Sequence, residues 1–341
     1  VGGVAGARPA PGGGRVKRRV LSVVVAVAGT GFCLWLALRK VELARLAAAL
    51  GGAHWLWLIP MAAIVVLDLF VRGARWRVLL SRARPGAAVA ELTRLEAIGI
   101  AVNNVLFARL GEFARAVLAG RRLSIPTVAA LASVAVERAF DVAALLTIFL
   151  IATTVAPGFA RDDVRLAAAA VLTAAVGALI VLSIAETWVA EGGWIERLLR
   201  PWPKLHALVS QLVLGAAVLR SPAAAAEVAA WSLFLWTVDA GVYWAGARAI
   251  GFGEQMSYAR AVLTLSWAGA SSALPAAPGA IGTFEAVVQN IVVRFGVGAS
   301  EAFAYALVCH MTMFLIVTIL GLGLLSRLGL SVAELRGEMG K

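Results

Sequence analysis

Six runs of apolar residues govern what this chain can fold into: 20–38, 55–71, 128–155, 166–184, 228–250 and 302–326. A bilayer core takes roughly twenty apolar residues of helix to cross. With no water there to satisfy the backbone, each run must close its own hydrogen bonds. Composition agrees: 61% of the 341 residues are hydrophobic, 15% are charged and mean hydropathy is +0.89, where a soluble domain carries about 25% charged residues. The expected fold is an all-α polytopic membrane protein with six spanning helices.

Two further stretches, 91–120 and 258–295, are hydrophobic but interrupted. The first breaks at Asn103-Asn104 and carries Arg109, Glu112 and Arg115; the second breaks at Ser271-Ser272, Pro275 and Pro278-Gly279. A broken helix frees backbone groups, which membrane depth tolerates only inside protein or beside a wet cavity. Both stretches therefore read as re-entrant helical hairpins. If each enters and leaves on one side, most arginines and both termini fall on the cytoplasmic face, in keeping with the positive-inside rule. Full crossings would put the Arg121-Arg122 loop and the 197–220 loop on opposite faces, which fits the charges less well. The segment 185–222 is too polar to span. Its Trp188, Trp194 and Trp202 alternate with charge, the pattern of interfacial amphipathic helices.

Residues 1–19 are expected to form a disordered basic cytoplasmic tail, 20–326 a single transmembrane domain and 327–341 a second cytoplasmic tail. The run at 20–38 is longer than a signal-peptide core and lacks a small-residue cleavage site before a polar stretch, so it reads as an uncleaved first helix. Lysine and arginine outnumber aspartate and glutamate by 31 to 19, giving +12. The excess sits at the ends of apolar runs, where anionic lipid accounts for it better than nucleic acid does. Cys33 and Cys309 lie inside apolar runs and read as packing residues. No metal site or cofactor is expected.

The shift that lays Asp68 on Asp239 also lays Arg77 on Arg248, Gly111 on Gly282 and Phe113 on Phe284. Each unit, about 55–156 and 224–326, then holds a span with an aspartate, a broken stretch, a Gly-x-Phe element and another span. In the topology above the two units are inverted. Inverted repeats whose discontinuous helices meet near the midplane are a transporter arrangement. Chance identities in an Ala/Leu-rich chain are the competing account.

Charges at a helix centre cost about 2.5–3.5 kcal/mol each, so those inside a membrane domain face protein and pair. Asn103, Asn104, Arg109, Glu112 and Arg115 form one group, its three charges spaced i, i+3, i+6. They make either an ion-pair ladder at a helix end or a guanidinium site for lipid phosphate, oriented by Glu112. Glu137, Arg138 and Asp141 cluster near the start of 128–155, with Arg138 expected to join Glu112 or Asp141. A structural clamp and a ligand-facing site both fit them. Pro278, Gly279, Gly282 and Thr283 make either a tight turn or the start of a half-helix whose free N–H groups favour an anionic headgroup. Glu285 is an intramembrane carboxylate and His310 a mid-span imidazole; the two could couple protonation to transport, or His310 is a hydrogen-bonded core residue. Asp239, deeper in its run than Asp68, is a packing acid or a headgroup contact.

No Walker A motif, HExxH zinc site or Gly-x-Ser-x-Gly elbow occurs, and no long extramembrane segment is present to fold as a catalytic domain. The chain is therefore expected not to be an enzyme, the rivals being a membrane-embedded lipid-modifying transferase or hydrolase and a non-transporting accessory subunit of an envelope-synthesis enzyme.

Three motifs carry a resemblance: Val102-Asn103-Asn104-Val105-Leu106-Phe107-Ala108-Arg109-Leu110-Gly111-Glu112, then Val136-Glu137-Arg138 with Asp141, then 275–285. Together they resemble the transmembrane flippase domain of lysylphosphatidylglycerol synthases, across about 20–326. The resemblance implies a membrane domain that moves a lipid with a modified headgroup across the bacterial inner membrane. Phe107 stands where the family pattern has proline, which leaves the kink to the asparagines. No aminoacyl-tRNA-dependent transferase domain is seen, so synthesis of that lipid is not expected. The reading is a translocase for an anionic or modified-headgroup phospholipid or a lipid-linked glycan. Its expected partners are membrane lipids, with a second copy of the chain or an envelope-synthesis enzyme as protein candidates and no nucleic acid.

Overall fold

The computed structural model describes residues 28–106, 110–156, 158–189, 193–271, 278–329 and 334, and every regular element among them is helical. α1 (Ala28–Leu38) and α2 (Leu43–Gly51) lead through a 3-10 turn at Trp55–Trp57 into α3 (Leu58–Leu79). α4 (Val89–Val105) and α5 (Leu110–Leu123) pack together as the first broken hairpin, and α6 (Thr127–Val155) and α7 (Asp162–Val189) follow. After the short α8 (Trp194–Leu199) and α9 (Pro203–Ala216) comes α10 (Pro222–Ile250). α11 (Tyr258–Ser271) and α12 (Thr283–Val293) form the second broken hairpin, and α13 (Ala299–Arg327) is last.

Local chemistry sets these bounds. The Ser221 hydroxyl accepts the Ala224 N–H at 3.3 Å, Pro222 stands at the first position of α10 where no donor is needed, and Gly251 ends the helix at φ 96°. α12 starts after Gly282 at φ 84°, a backbone state that a side chain would oppose.

Among the described residues, three helices are long and apolar enough to cross a membrane: Trp55–Leu79, Asp162–Ala185 and Ala299–Arg327. The pair Pro203–Arg220 and Pro222–Ile250, bent by 85°, makes a fourth if it is one span. Of the other runs expected to span, 20–38 is described only from Ala28, and 128–155 carries Glu137, Arg138 and Asp141 within five positions. The 185–222 segment is helical, as expected, in α8 and α9.

One boundary moves. The helix expected to stop at Val71 continues to Leu79 because Arg72, Arg75 and Trp76 turn inward: their exposures are 8%, 0% and 0%. Arg72 and Arg75, which follow directly on the apolar run, are therefore interior residues and not part of a solvated basic flank.

α3 packs between α10 and α4, α4 on α13, and α6 on α5, α9 and α11. Two apolar clusters result, one around Tyr243, Val288 and Tyr305, the other around Leu92, Ile98 and Leu118. α4 is approached closely from both sides. A Cβ on Gly111 of α5 would overlap the Gly99 carbonyl, and one on Gly321 of α13 would overlap the Ala97 carbonyl. Such glycine contacts are how helices bring their backbones together in lipid. α7, by contrast, buries only 6% of its most apolar window, so lipid is its solvent.

Candidate functional site

Asp68, Arg72 and Arg75 are spaced i, i+4, i+7, which sets them on one face of α3, directed at α6 and α10. Arg75 donates to Asp141 at 2.5 Å and to Ser232 at 2.9 Å, and its other terminal nitrogen lies 3.0 Å from Glu137. Glu137 is shared, since Arg115 of α5 reaches it at 3.1 Å while also pairing with Glu96 of α4. The Arg115 guanidinium sits 4.4 Å from the Trp76 ring centroid, and the Trp76 indole donates to Ser133 at 3.0 Å. Arg72 pairs with Asp68 at 2.7 Å and lies over Trp236, whose indole in turn donates to Asp141 at 2.9 Å.

Arg138 closes the network at its outer edge. It lies 3.1 Å from Glu112, 3.0 Å from Asp141 and 3.6 Å from Glu137, and its side chain is 38% exposed. Deeper in, Arg75 Nε, Arg115 Nε and Glu96 Oε1 are buried without a hydrogen-bond partner among the described residues. Desolvating this many charges is tolerable only because each faces an opposite charge, and removing one member strands the rest.

The remaining expected residues fall in three places. Asn103 accepts the Gly111 N–H at 2.7 Å and thereby ties α4 to the start of α5, while Asn104 donates to Thr318 of α13 at 2.8 Å. Asp239 interacts electrostatically with Asp68 and Arg72 across the α3–α10 contact and forms no hydrogen bond or ion pair among the described residues. Arg109 lies outside the described residues, as do Phe107 and Pro275.

The second break borders the first. Pro278–Ala280 is a 3-10 turn packed on α4, and Gly279, at φ 68°, lies against the Phe314 ring and the Asn104 carbonyl. Thr283 is buried with its hydroxyl unpartnered among the described residues. Glu285 accepts the Gly282 N–H at 2.6 Å, and its other oxygen lies 2.6 Å from His310 Nδ1, with Phe284 stacked on the imidazole at 4.4 Å. The Gly282 N–H, which the half-helix alternative would leave to an anionic headgroup, is satisfied by Glu285 in the first turn of α12.

Sequence reasoning passed over Arg72, Arg75, Trp76, Glu96, Ser232 and Trp236. The legible signal was the spacing of Asp68, Arg72 and Arg75 along a stretch without a helix breaker, and a lone Glu96 within the hydrophobic 95–102. Ser232 and Trp236 give no signal beyond an apolar helix.

A family model described as "Lysylphosphatidylglycerol synthase TM region" matches residues 20–321. The chain is 26% identical to Glycosyltransferase AglD of Haloferax volcanii in a 350-residue alignment that covers 93% of this chain and 56% of the relative. The chain thus spans about half the length of that relative. No solved structure matches it. The relative's name overturns the expectation that a chain of this kind is not an enzyme. That expectation rested on missing motifs, and motif absence says nothing of chemistry done without a recognisable signature or beyond the shared portion.

Proposed function

Because the chain belongs to the lysylphosphatidylglycerol synthase transmembrane family, we propose that it moves a phospholipid with an anionic or modified headgroup, or a lipid-linked glycan, across the bacterial inner membrane. The observation that carries this reading is a helix arrangement that exchanges with itself. The shift from Asp68 to Asp239 lays α3 on the end of α10, both finishing together at Leu79 and Ile250. It lays α4, α5 and α6 on 260–276, 281–294 and 298–326, against observed starts at Tyr258, Thr283 and Ala299. Contacts exchange in the same way: α4 on α13 corresponds to α11 on α6, and α3 on α13 to α10 on α6. α3 packs on α10, its own counterpart, at the centre. This supports a two-unit repeat whose broken hairpins adjoin at Asn104 and Gly279; inverted, as the charge-based topology has it, such a repeat is the arrangement in which transporters place a polar site.

In this reading the headgroup enters beside Arg138 and Glu112. The phosphate replaces Glu112 as the partner of Arg138, and the acyl chains stay in lipid. Arg115, Glu137, Asp141 and Asp239 line or support the path on the first side, with Asn103 and Asn104 in the last turn of α4. Pro278, Gly279, Gly282, Thr283, Glu285 and His310 form its second side. Leaflet exchange of labelled anionic lipids in reconstituted vesicles tests it. The wild-type chain should accelerate exchange, and Arg138→Gln should slow it about tenfold, the loss of one charged hydrogen bond. No acceleration for any candidate lipid, or equal rates for both proteins, would overturn it.

The glycosyltransferase name of the relative favours a second reading, in which the domain presents a lipid-linked substrate for glycosyl transfer. A chemically altered lipid in membranes of an overexpressing strain, without exchange activity in vesicles, would select that reading.

A further inference from the structure

α8 and α9 leave one side uncovered. Trp194 and Leu198 lie one turn apart on α8, and Leu205, Leu208 and Leu212 run at i, i+3, i+7 on α9; all are exposed, as is Trp202 between the helices. The other side of α9 is seated firmly. A Cβ on Gly215 would overlap the Ala129 carbonyl and the Ala132 methyl of α6. The α9 segment meets α10 at 85°, so with α10 crossing the bilayer α9 lies in its plane. Exposed Arg197, Arg200 and Lys204 flank the apolar stripe, none of them ion-paired among the described residues, and Glu196 is the one acid within α8 and α9. Between the helices, Pro201, Trp202, Pro203, Lys204 and Leu205 line an open crevice of about 630 Å³.

We propose that the α8–α9 elbow docks on an anionic phospholipid leaflet, with Arg197, Arg200 and Lys204 at the headgroup phosphates and Trp202 and the leucines below them. Indoles settle at headgroup depth, and an in-plane helix binds through its apolar face plus basic residues facing anionic lipid. Lipid is the occupant because the stripe continues an existing lipid-facing surface: α7, which buries little of its apolar length, packs on both α8 and α9. The dock also sits beside the buried network. Gly215 abuts Ser133, which holds Trp76 beneath Arg115.

The test is independent of transport. The full chain, stripped of lipid in detergent and titrated with equal amounts of phosphatidylglycerol and phosphatidylcholine, is weighed intact by native mass spectrometry. The wild type should retain phosphatidylglycerol preferentially. Arg197→Gln, Arg200→Gln and Lys204→Gln combined should reduce that preference, by up to about fivefold per charge removed, while lysine in place of both arginines preserves it. Arg161→Gln with Arg165→Gln, at the start of α7, should leave it unchanged. Equal retention of the two lipids by the wild type, an undiminished preference in the triple variant, or the same loss in the Arg161/Arg165 variant would overturn the proposal.

Discussion

At the residue scale, Glu137 and Arg138 are sequence neighbours with different duties. Glu137 is wholly buried between Arg75 and Arg115, so Glu137→Gln leaves two buried guanidiniums short of a counter-charge. It should destabilise the fold by on the order of 3 kcal/mol, as breaking a buried pair does, seen as a lowered thermal midpoint in detergent. Arg138, at 38% exposure, keeps contact with solvent or headgroup. Arg138→Gln should change stability by about 1 kcal/mol or less and act on exchange rate instead, as measured in vesicles. A thermal midpoint lower for Arg138→Gln than for Glu137→Gln would refute this division. The Glu137, Arg138 and Asp141 cluster is legible from sequence because charges inside an apolar run are costly and stand out. Their partners are less so: Arg75 and Glu96 look like the basic and acidic flanks of a span until the helix is known to continue past them.

At the element scale, close backbone approach decides where α5 and α13 sit on α4. A Cβ at Gly111 would overlap both the Gly99 carbonyl and the Asn103 side chain that accepts the Gly111 N–H. Gly111→Ala should therefore push α5 away from α4 and cost roughly 1–3 kcal/mol, the range for overpacking. On α13, Gly323 has nothing within 4 Å of a built Cβ, so Gly323→Ala should be neutral or stabilising by up to about 1 kcal/mol through helix propensity. Thermal unfolding of both variants in one detergent checks the contrast, and equal midpoints would contradict it. Although both asparagines lie within α4, which runs to Val105, the hairpin breaks were visible to within a few residues, from Asn103-Asn104 and Pro278-Gly279, since asparagine, proline and glycine interrupt apolar periodicity. The tight seats of Gly111 and Gly321 were not, because an alanine-rich helix tolerates glycine anywhere and only its neighbour reveals which glycine is required.

At the scale of the whole molecule, the self-comparison of the sequence rests on a few charged, glycine and aromatic matches, and the fold shows why so few suffice. A repeat that only has to preserve helix lengths, two breaks and a central aspartate can replace nearly every apolar side chain, since lipid and core accept leucine, valine and alanine alike. Orientation, however, does not follow from contacts alone. An inverted pair sends equivalent turns to opposite faces of the membrane: the α5–α6 turn after Arg121 and its counterpart, the α12–α13 turn at Arg294. Both arginines are exposed. Arg121→Cys and Arg294→Cys, each introduced with Cys33 replaced by serine, should react with an impermeant maleimide from opposite sides of sealed vesicles. Buried Cys309 stays silent. Labelling of both from the same side would mean that the units run parallel; the exchange of helix contacts would then relate two copies facing one leaflet, and no alternating access could be built on it.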